Sequence, residues 1–230
     1  MPNRIGTLNE QHLHSQLKDW LAQPGDLVEQ DVDGYRIDLV RGDLLIEIQT
    51  GNFTAIRRKL AKLLEDHEVL LVHPIARDKW IVRQTKRGRQ VARRKSPKKG
   101  RLEHVFDELV RMPQIATHPN FRLQVLLTQQ EEVWRDDGRG SWRRGKWSIA
   151  DRHLLKVLES AHLERPADYL NLIPDKLERP FTHKSLAKAM KTNVATSTRL
   201  SYCLRKMGLL ETVGKQGNTL LLAPVDTIAP

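Results

Sequence analysis

The sequence predicts a two-part α/β protein: a mixed sheet flanked by helices, then a small helical domain closed by a hairpin. Three observations carry this. From Tyr35 to Gln49 side chains alternate with the period of two strands. Val69-Leu70-Leu71-Val72 is a continuous apolar run that follows a helical pattern, as a central strand does after a crossover helix. After Phe181, two helical patterns precede two short strand runs around Gly214 to Asn218. The divisions fall at residues 1–88 for the core, 89–150 for a basic loop and connecting segment with helix and strand, and 151–230 for the helical domain.

Leu8 to Gln23 reads as a helix with Leu13, Leu17, Trp20 and Leu21 on one face. Glu10, His14 and Lys18 recur one turn apart beside that face, and Pro24-Gly25 stops the helix. Leu27 to Val32 reads as a strand. Gly42-Asp43 then marks a hairpin turn between two further strands, because glycine supplies the positive φ of a primed turn. With Arg41 and Leu44 flanking the turn, Asp38 falls opposite Glu47 and Arg36 opposite Gln49. Opposed side chains on one sheet face have Cβ atoms about 4.5–5.5 Å apart. Two carboxylates that close repel unless a cation lies between them, and Mg²⁺ is the usual one. Such an ion polarises a phosphodiester and activates water. The alternative is a solvated polar face. Leu44, Leu45, Ile46 and Ile48 around Glu47 favour a strand covered on both sides.

Thr50-Gly51-Asn52 suits a strand-to-helix turn, and Phe53, Ile56, Leu60, Leu63 and Leu64 mark the buried face of a helix reaching about Asp66. Arg57, Arg58, Lys59 and Lys62 fall mostly on its other face. The apolar run at Val69 follows, and Lys79 to Arg83 reads as one more strand. No apolar period survives from Thr85 to Gly100, which reads as a basic loop; Ser96-Pro97 is placed to cap a helix carrying Val105, Phe106, Leu109 and Val110. Phe121 to Leu127 reads as a strand. The segment from Trp134 to Trp147 interleaves tryptophan with arginine and glycine. It suits either stacking on bases or, more commonly, a glycine-rich hairpin whose tryptophans pack on a neighbour. Leu154, Leu155, Val157 and Leu158 read as the start of the helical part.

The chain carries a formal charge of +11. Arg77 to Arg101 alone holds twelve Lys and Arg against one acid, Asp78, which matches the whole excess. Clustered basic charge beside a carboxylate pair is the footprint of a polyanion ligand. A solvated tether is the plain alternative, and an anionic membrane surface is disfavoured because the segment lacks an apolar face. The single cysteine, Cys203, excludes an intrachain disulfide and a cysteine-based zinc cluster. No apolar run approaches the roughly 18 residues of a membrane span, and the first residues lack a signal-peptide core, so a cytoplasmic protein is expected.

In the C-terminal part, Thr182 is a good N-cap and Phe181 can staple to Leu186. A helix to Met190 and a turn at Lys191-Thr192-Asn193 lead to a second helix that buries Leu200, Cys203, Leu204 and Met207 and ends at Gly208. Leu209 to Val213 and Thr219 to Leu222 then form a hairpin.

Asp38, the hairpin, and Glu47-Ile48-Gln49 resemble the PD-(D/E)XK nuclease superfamily, whose core is a restriction-endonuclease-like mixed sheet. The resemblance covers roughly the first 85 residues and implies Asp38 and Glu47 as ligands of Mg²⁺, or of Mn²⁺ in its place. Gln49 stands at the lysine position and Ile37 at the proline position. Arg58 or Lys59 could supply the missing charge. Glu10, with Glu29 as its competitor, would complete the acidic cluster. Helix, turn, helix and hairpin resemble a winged helix-turn-helix domain, which implies a recognition helix lined by Thr196, Ser197, Arg199, Ser201 and Arg205 and a wing carrying Lys215. A winged helix can also serve protein contacts only. Together these resemblances imply a DNA endonuclease, of a superfamily in which many nucleases act as a homodimer. Its catalytic residues would be Asp38, Glu47, Gln49 and Glu10. Arg57, Arg58, Lys59, Arg87, Arg89, Arg93, Arg94, Lys95, Lys98 and Lys99 would hold the nucleic acid. The alternative is a catalytically inactive nuclease-fold protein that binds DNA or regulates.

Overall fold

Seven strands form one mixed sheet with helices on its faces, and a two-stranded hairpin follows it. The computed structural model describes residues 11–225. Helix α1 (Gln11–Leu21) leads into β1 (Leu27–Val32), β2 (Tyr35–Arg41) and β3 (Leu44–Ile48). Both connections are tight turns with positive φ, at Asp33 and Gly34 in the first and Gly42 in the second. The β2–β3 register is the expected one, with Arg41 opposite Leu44, Val40 opposite Leu45 and Leu39 opposite Ile46.

Helix α2 (Phe53–Leu63) crosses over to β4 (Glu68–Gln84), which pairs in parallel with β3 on one side and with β6 (Phe121–Arg135) on the other. A strand between two parallel neighbours is covered on both faces, which is why Val69 to Val72 is uniformly apolar. The expected strands at Val69 and Lys79 are therefore one, bent by a bulge between Ala76 and Asp78. The expected basic loop contains β5 (Gln90–Lys95), antiparallel to β4 and exposed at every residue. It escapes the apolar-period test because backbone pairing and polar contacts hold it, among them Arg93 to Glu131 at 2.8 Å and Lys95 to Asp78 at 2.9 Å. Ser96 does not cap the helix that follows: its hydroxyl accepts the Lys98 N–H at 3.3 Å. That helix is a 3-10 turn, Leu102–Val105, running into α3 (Phe106–Leu109).

The larger correction concerns β7 (Ser148–Leu163), which pairs antiparallel with β6 where a helix was expected. Register shifts leave Leu155 and Leu158 without cross-strand partners, so apolar positions recur at Leu154 and Val157, three apart. Two bulges thus imitate helical spacing. Sheet order is β1-β2-β3-β4-β6-β7, with β5 on β4.

One apolar layer lies under α1, where Leu13, Leu17 and Leu21 meet Leu39, Ile46, Ile48, Leu70, Val72 and Leu126. Trp20, expected in that layer, is largely exposed. The other layer joins α2 and α3 to the C-terminal elements, α4 (Pro166–Leu170), α5 (His183–Ala189), α6 (Val194–Lys206), β8 (Leu210–Gln216) and β9 (Thr219–Pro224). Thr182 and Asn193 cap α5 and α6 by accepting the Ser185 and Thr196 N–H groups at 3.1 and 2.9 Å. Gly208 ends α6 with φ 74°. No described helix is long and apolar enough to cross a membrane.

Candidate functional site

The β2–β3 ladder stops at Leu39 and Ile46, one step before Asp38 and Glu47. Carboxylates replace the ladder from there. Asp38 Oδ2 accepts the Ile48 N–H at 2.9 Å, and the Glu47 carboxylate accepts the Asp38 N–H. Arg36, expected opposite Gln49, pairs instead with Asp31 across the β1–β2 ladder, and its guanidinium lies 3.1 Å from Glu29.

Each carboxylate has its own basic partner from a different helix. His14 Nε2 of α1 lies 3.1 Å from Asp38 Oδ2. Lys59 Nζ of α2 lies 2.5 Å from Glu47 Oε1 and also donates to the Arg36 carbonyl. Glu47 is only 4% exposed. Burial pushes its carboxyl above the usual range, and Lys59 offsets that only in part, while Asp38 adds repulsion. Burial also pushes Asp38 upward, but the His14 imidazole, the Ile48 N–H and the Lys59 charge outweigh it and leave Asp38 below its ordinary value. His14 is raised by its hydrogen bond to Asp38, against the desolvation of its ring. Two neighbouring acids are thus driven in opposite directions, the pattern expected where carboxylates have separate tasks.

Gln49 sits where β3 gives way to α2. Its side-chain amide donates to the Gly51 carbonyl and, at 3.3 Å, to the Asn52 carbonyl, so it braces the turn. Its own carbonyl lies 2.6 Å from His73 Nδ1. His73 is buried edge-on against Phe53, and burial holds its pKa down. At the start of α2, the Phe53 N–H donates to Glu108 Oε2 at 3.0 Å, an acid at the positive end of the helix dipole. Asn52, in the left-handed region with φ 54°, makes no side-chain cap. The remote Glu108 takes that role.

Of the expected acidic cluster, Asp38 and Glu47 come together. Glu10 lies outside the described residues. Glu29 points into solvent, where Lys18 and Arg36 pull its pKa down to about 2. On the face of α1 where Glu10 was expected to act, the residue one turn later, His14, makes the contact. The equal spacing of Glu10, His14 and Lys18 was the signal for it.

Arg57 and Arg58 are exposed on α2. Arg87, Arg89, Arg93, Arg94, Lys95, Lys98 and Lys99 are all exposed on the β4–β5 arm. There Arg93 and Lys95 flank the Trp80 ring at 5.3 and 5.0 Å. On the neighbouring strands, Arg83 lies over Trp147 at 5.2 Å and Trp134 at 6.0 Å, whereas Trp142 is 80% exposed. The tryptophan-rich stretch therefore runs from the end of β6 through the β6–β7 connection, with two rings under Arg83 and the exposed Trp142 ring under Arg143 at 5.5 Å.

In α6 three of the five residues expected to face outward are turned inward. Thr196, Ser197 and Ser201 are buried, and the Ser197 hydroxyl donates to the His183 carbonyl at 2.8 Å. Arg199 pairs with Asp107 at 2.8 Å, and Arg205 is half-buried. The exposed face of α6 carries Thr198, Arg199, Tyr202 and Lys206, with Lys206 over the Tyr202 ring at 5.9 Å. Lys215 is exposed on β8.

A family model described as "Domain of unknown function (DUF8091)" matches residues 11–164, ending one residue after β7. An uncharacterized protein of Treponema pallidum (strain Nichols) is 31% identical over 218 residues, covering 94% of this chain and 86% of that protein. No solved structure matches. The family match spans the sheet and both helices that supply the basic partners of Asp38 and Glu47, and the chain belongs to this family of domains of unknown function.

Proposed function

We propose that this protein is a metal-dependent DNA endonuclease of the PD-(D/E)XK type, with a C-terminal winged helix that binds DNA. One observation carries the reading: a lysine from α2, Lys59, closes on Glu47 beside Asp38. Gln49 leaves the motif without its cation, and Lys59 supports the view that the charge comes from the next helix instead. Two carboxylates and an ammonium then gather at the end of one strand pair.

The donor set is oxygen-rich and hard, which fits Mg²⁺ and also admits Mn²⁺. Asp38 and Glu47 would hold the ion, which when bound supplies Lewis acidity to a phosphate and lowers the pKa of water. Both Asp38 contacts use Oδ2, so Oδ1 is the oxygen that would face an ion. His14 holds Asp38 in place. Lys59, released from Glu47, would stabilise charge developing on the phosphate oxygens, a role an amide at position 49 cannot fill. Gln49 keeps the turn in shape. The exposed cations of the β4–β5 arm would follow the phosphate backbone. The free Cys203 is buried in the core and needs no oxidising compartment, which suits a cytoplasmic setting.

The test is cleavage of plasmid and branched DNA with Mg²⁺, Mn²⁺ or EDTA. Metal-dependent cutting is expected, falling about 100-fold or more in Asp38→Ala, Glu47→Ala and Lys59→Met. DNA binding should survive in all three. Binding without any cutting by the wild type would reject the enzyme and leave a nuclease-fold DNA-binding protein.

A further inference from the structure

On the opposite side of α1 from the Asp38 contact, three side chains converge that the nuclease reading does not use. His12 Nδ1 lies 2.7 Å from Asp151 Oδ2, and His153 Nε2 lies 3.1 Å from the same oxygen. The two imidazole rings are 5.3 Å apart and tilted by 33°. All three ligand atoms lie within 4.8 Å of one another. We propose that His12, Asp151 and His153 form a binding site for one borderline transition-metal ion, of which Zn²⁺ is the type.

The donor chemistry selects the ion. Two imidazole nitrogens and one carboxylate oxygen suit zinc, cobalt or nickel and are poor ligands for Mg²⁺. Geometry agrees with this. Ligand atoms about 2.0–2.1 Å from a tetrahedral ion lie about 3.3 Å apart, so the two histidine contacts to Asp151 Oδ2, at 2.7 and 3.1 Å, need only a sub-ångström opening. Each neutral imidazole can carry its proton on the outer nitrogen and present a lone pair inward. The carboxylate is already oriented, because Asp151 Oδ1 accepts the Arg152 N–H at 2.8 Å and leaves Oδ2 to the two rings. This is the outer-shell bracing that fixes a ligating side chain.

The triad also has an open side. The His12 side chain is two-thirds exposed and that of His153 one-third. Three protein ligands with an open position is the arrangement of a site that retains water or accepts an exogenous ligand. Asp151 and His153 share β7, two residues apart on one face, while His12 comes from α1. The ion would therefore clip helix to sheet. Because α1 also presents His14 to Asp38, loading this site would fix the helix that steadies the candidate catalytic pair. The binding proposal itself does not rest on the nuclease reading.

Calorimetric titration of the full chain with Zn²⁺, repeated with Co²⁺ followed by its visible absorption, tests it. The wild type is expected to bind one ion per chain, with affinity reduced on the order of tenfold or more in His153→Ala and His12→Gln. His12 is exposed enough that His12→Gln leaves the fold intact, which unfolding midpoints in EDTA would verify. Asp38→Ala with Glu47→Ala should bind Zn²⁺ as the wild type does. Unchanged Zn²⁺ affinity in both histidine variants, absence of stoichiometric binding by the wild type, or loss of binding in the Asp38 and Glu47 variant would each overturn the proposal.

Discussion

At the scale of single residues, the pairing of Lys59 with Glu47 has consequences that do not depend on catalysis. Glu47 is buried and Lys59 mostly so; removing the lysine leaves the buried carboxylate without its cation. Lys59→Met is expected to cost about 3 kcal/mol by urea unfolding. Glu47→Gln in the same chain should restore most of it, because the pair is then replaced by neutral groups. On the proposed nuclease reading, Gln49→Lys should partly rescue Lys59→Met, since position 49 is where the resemblance places the lysine of the motif. A second expectation concerns pH. The raised pKa of His14 adds stability that is complete below its ordinary value of 6.5 and is lost as pH rises through the raised value. The lowered pKa of Asp38 adds stability above 3.8 that is lost as pH falls through the lowered value. The difference in melting temperature between the wild type and His14→Ala should thus be greatest between those two ordinary values and shrink toward alkaline pH. Asp38 and Glu47 were legible because the turn at Gly42 fixes their register. His14 was legible only as a residue on the same face of α1 as Glu10 and Lys18; its contact with a strand residue 24 positions away is set by packing, which no local period shows.

At the scale of elements, strand termini were harder to read than strand centres. The apolar start of β4 shows in composition and Lys79 to Arg83 in its second half also reads as a strand, whereas β5 is a charged strand exposed at every residue and carries no apolar period. In β7 the bulges at Leu155 and Leu158 changed the apparent period from two to three, so a strand read as a helix. Where chains approach closely, glycine is the visible sign. A Cβ on Gly100 would lie 2.4 Å from the Ala76 carbonyl, at the bulge of β4. Since that neighbour is backbone, Gly100→Ala should destabilise by about 1–3 kcal/mol and loosen the return of the β4–β5 arm. Hydrogen exchange at the Gly100 N–H, which bonds to Ala76 at 3.0 Å, is the readout. Faster exchange there, with the rest of the sheet unchanged, is the expected result.

For the whole molecule, charge distribution is the dominant feature. The net charge of +11 equals the excess of one segment, and most of that segment is the exposed arm. If the arm lies along DNA, log affinity should fall linearly with log salt. Neutralising Arg93, Arg94 and Lys95 should then reduce the slope by about 0.9 for each phosphate that the arm ceases to neutralise. A slope that stays unchanged would assign DNA binding elsewhere, to the exposed face of α6 and Lys215. Fluorescence anisotropy at several salt concentrations gives both quantities.

Strand β4 also sets a length. Its Leu71 sits beside Glu47, and its Val82 sits beside Arg93, eleven residues further along the same strand. At about 3.3 Å per residue the strand between these points is at most about 36 Å long, shortened by the bend at Ala76 to Asp78, a span of up to about one turn of duplex DNA. No linker separates them, so a backbone gripped by the arm would meet Asp38 and Glu47 at a fixed offset. The sheet would then act as a ruler, and cuts would fall at a constant spacing from the gripped position whatever the base sequence between.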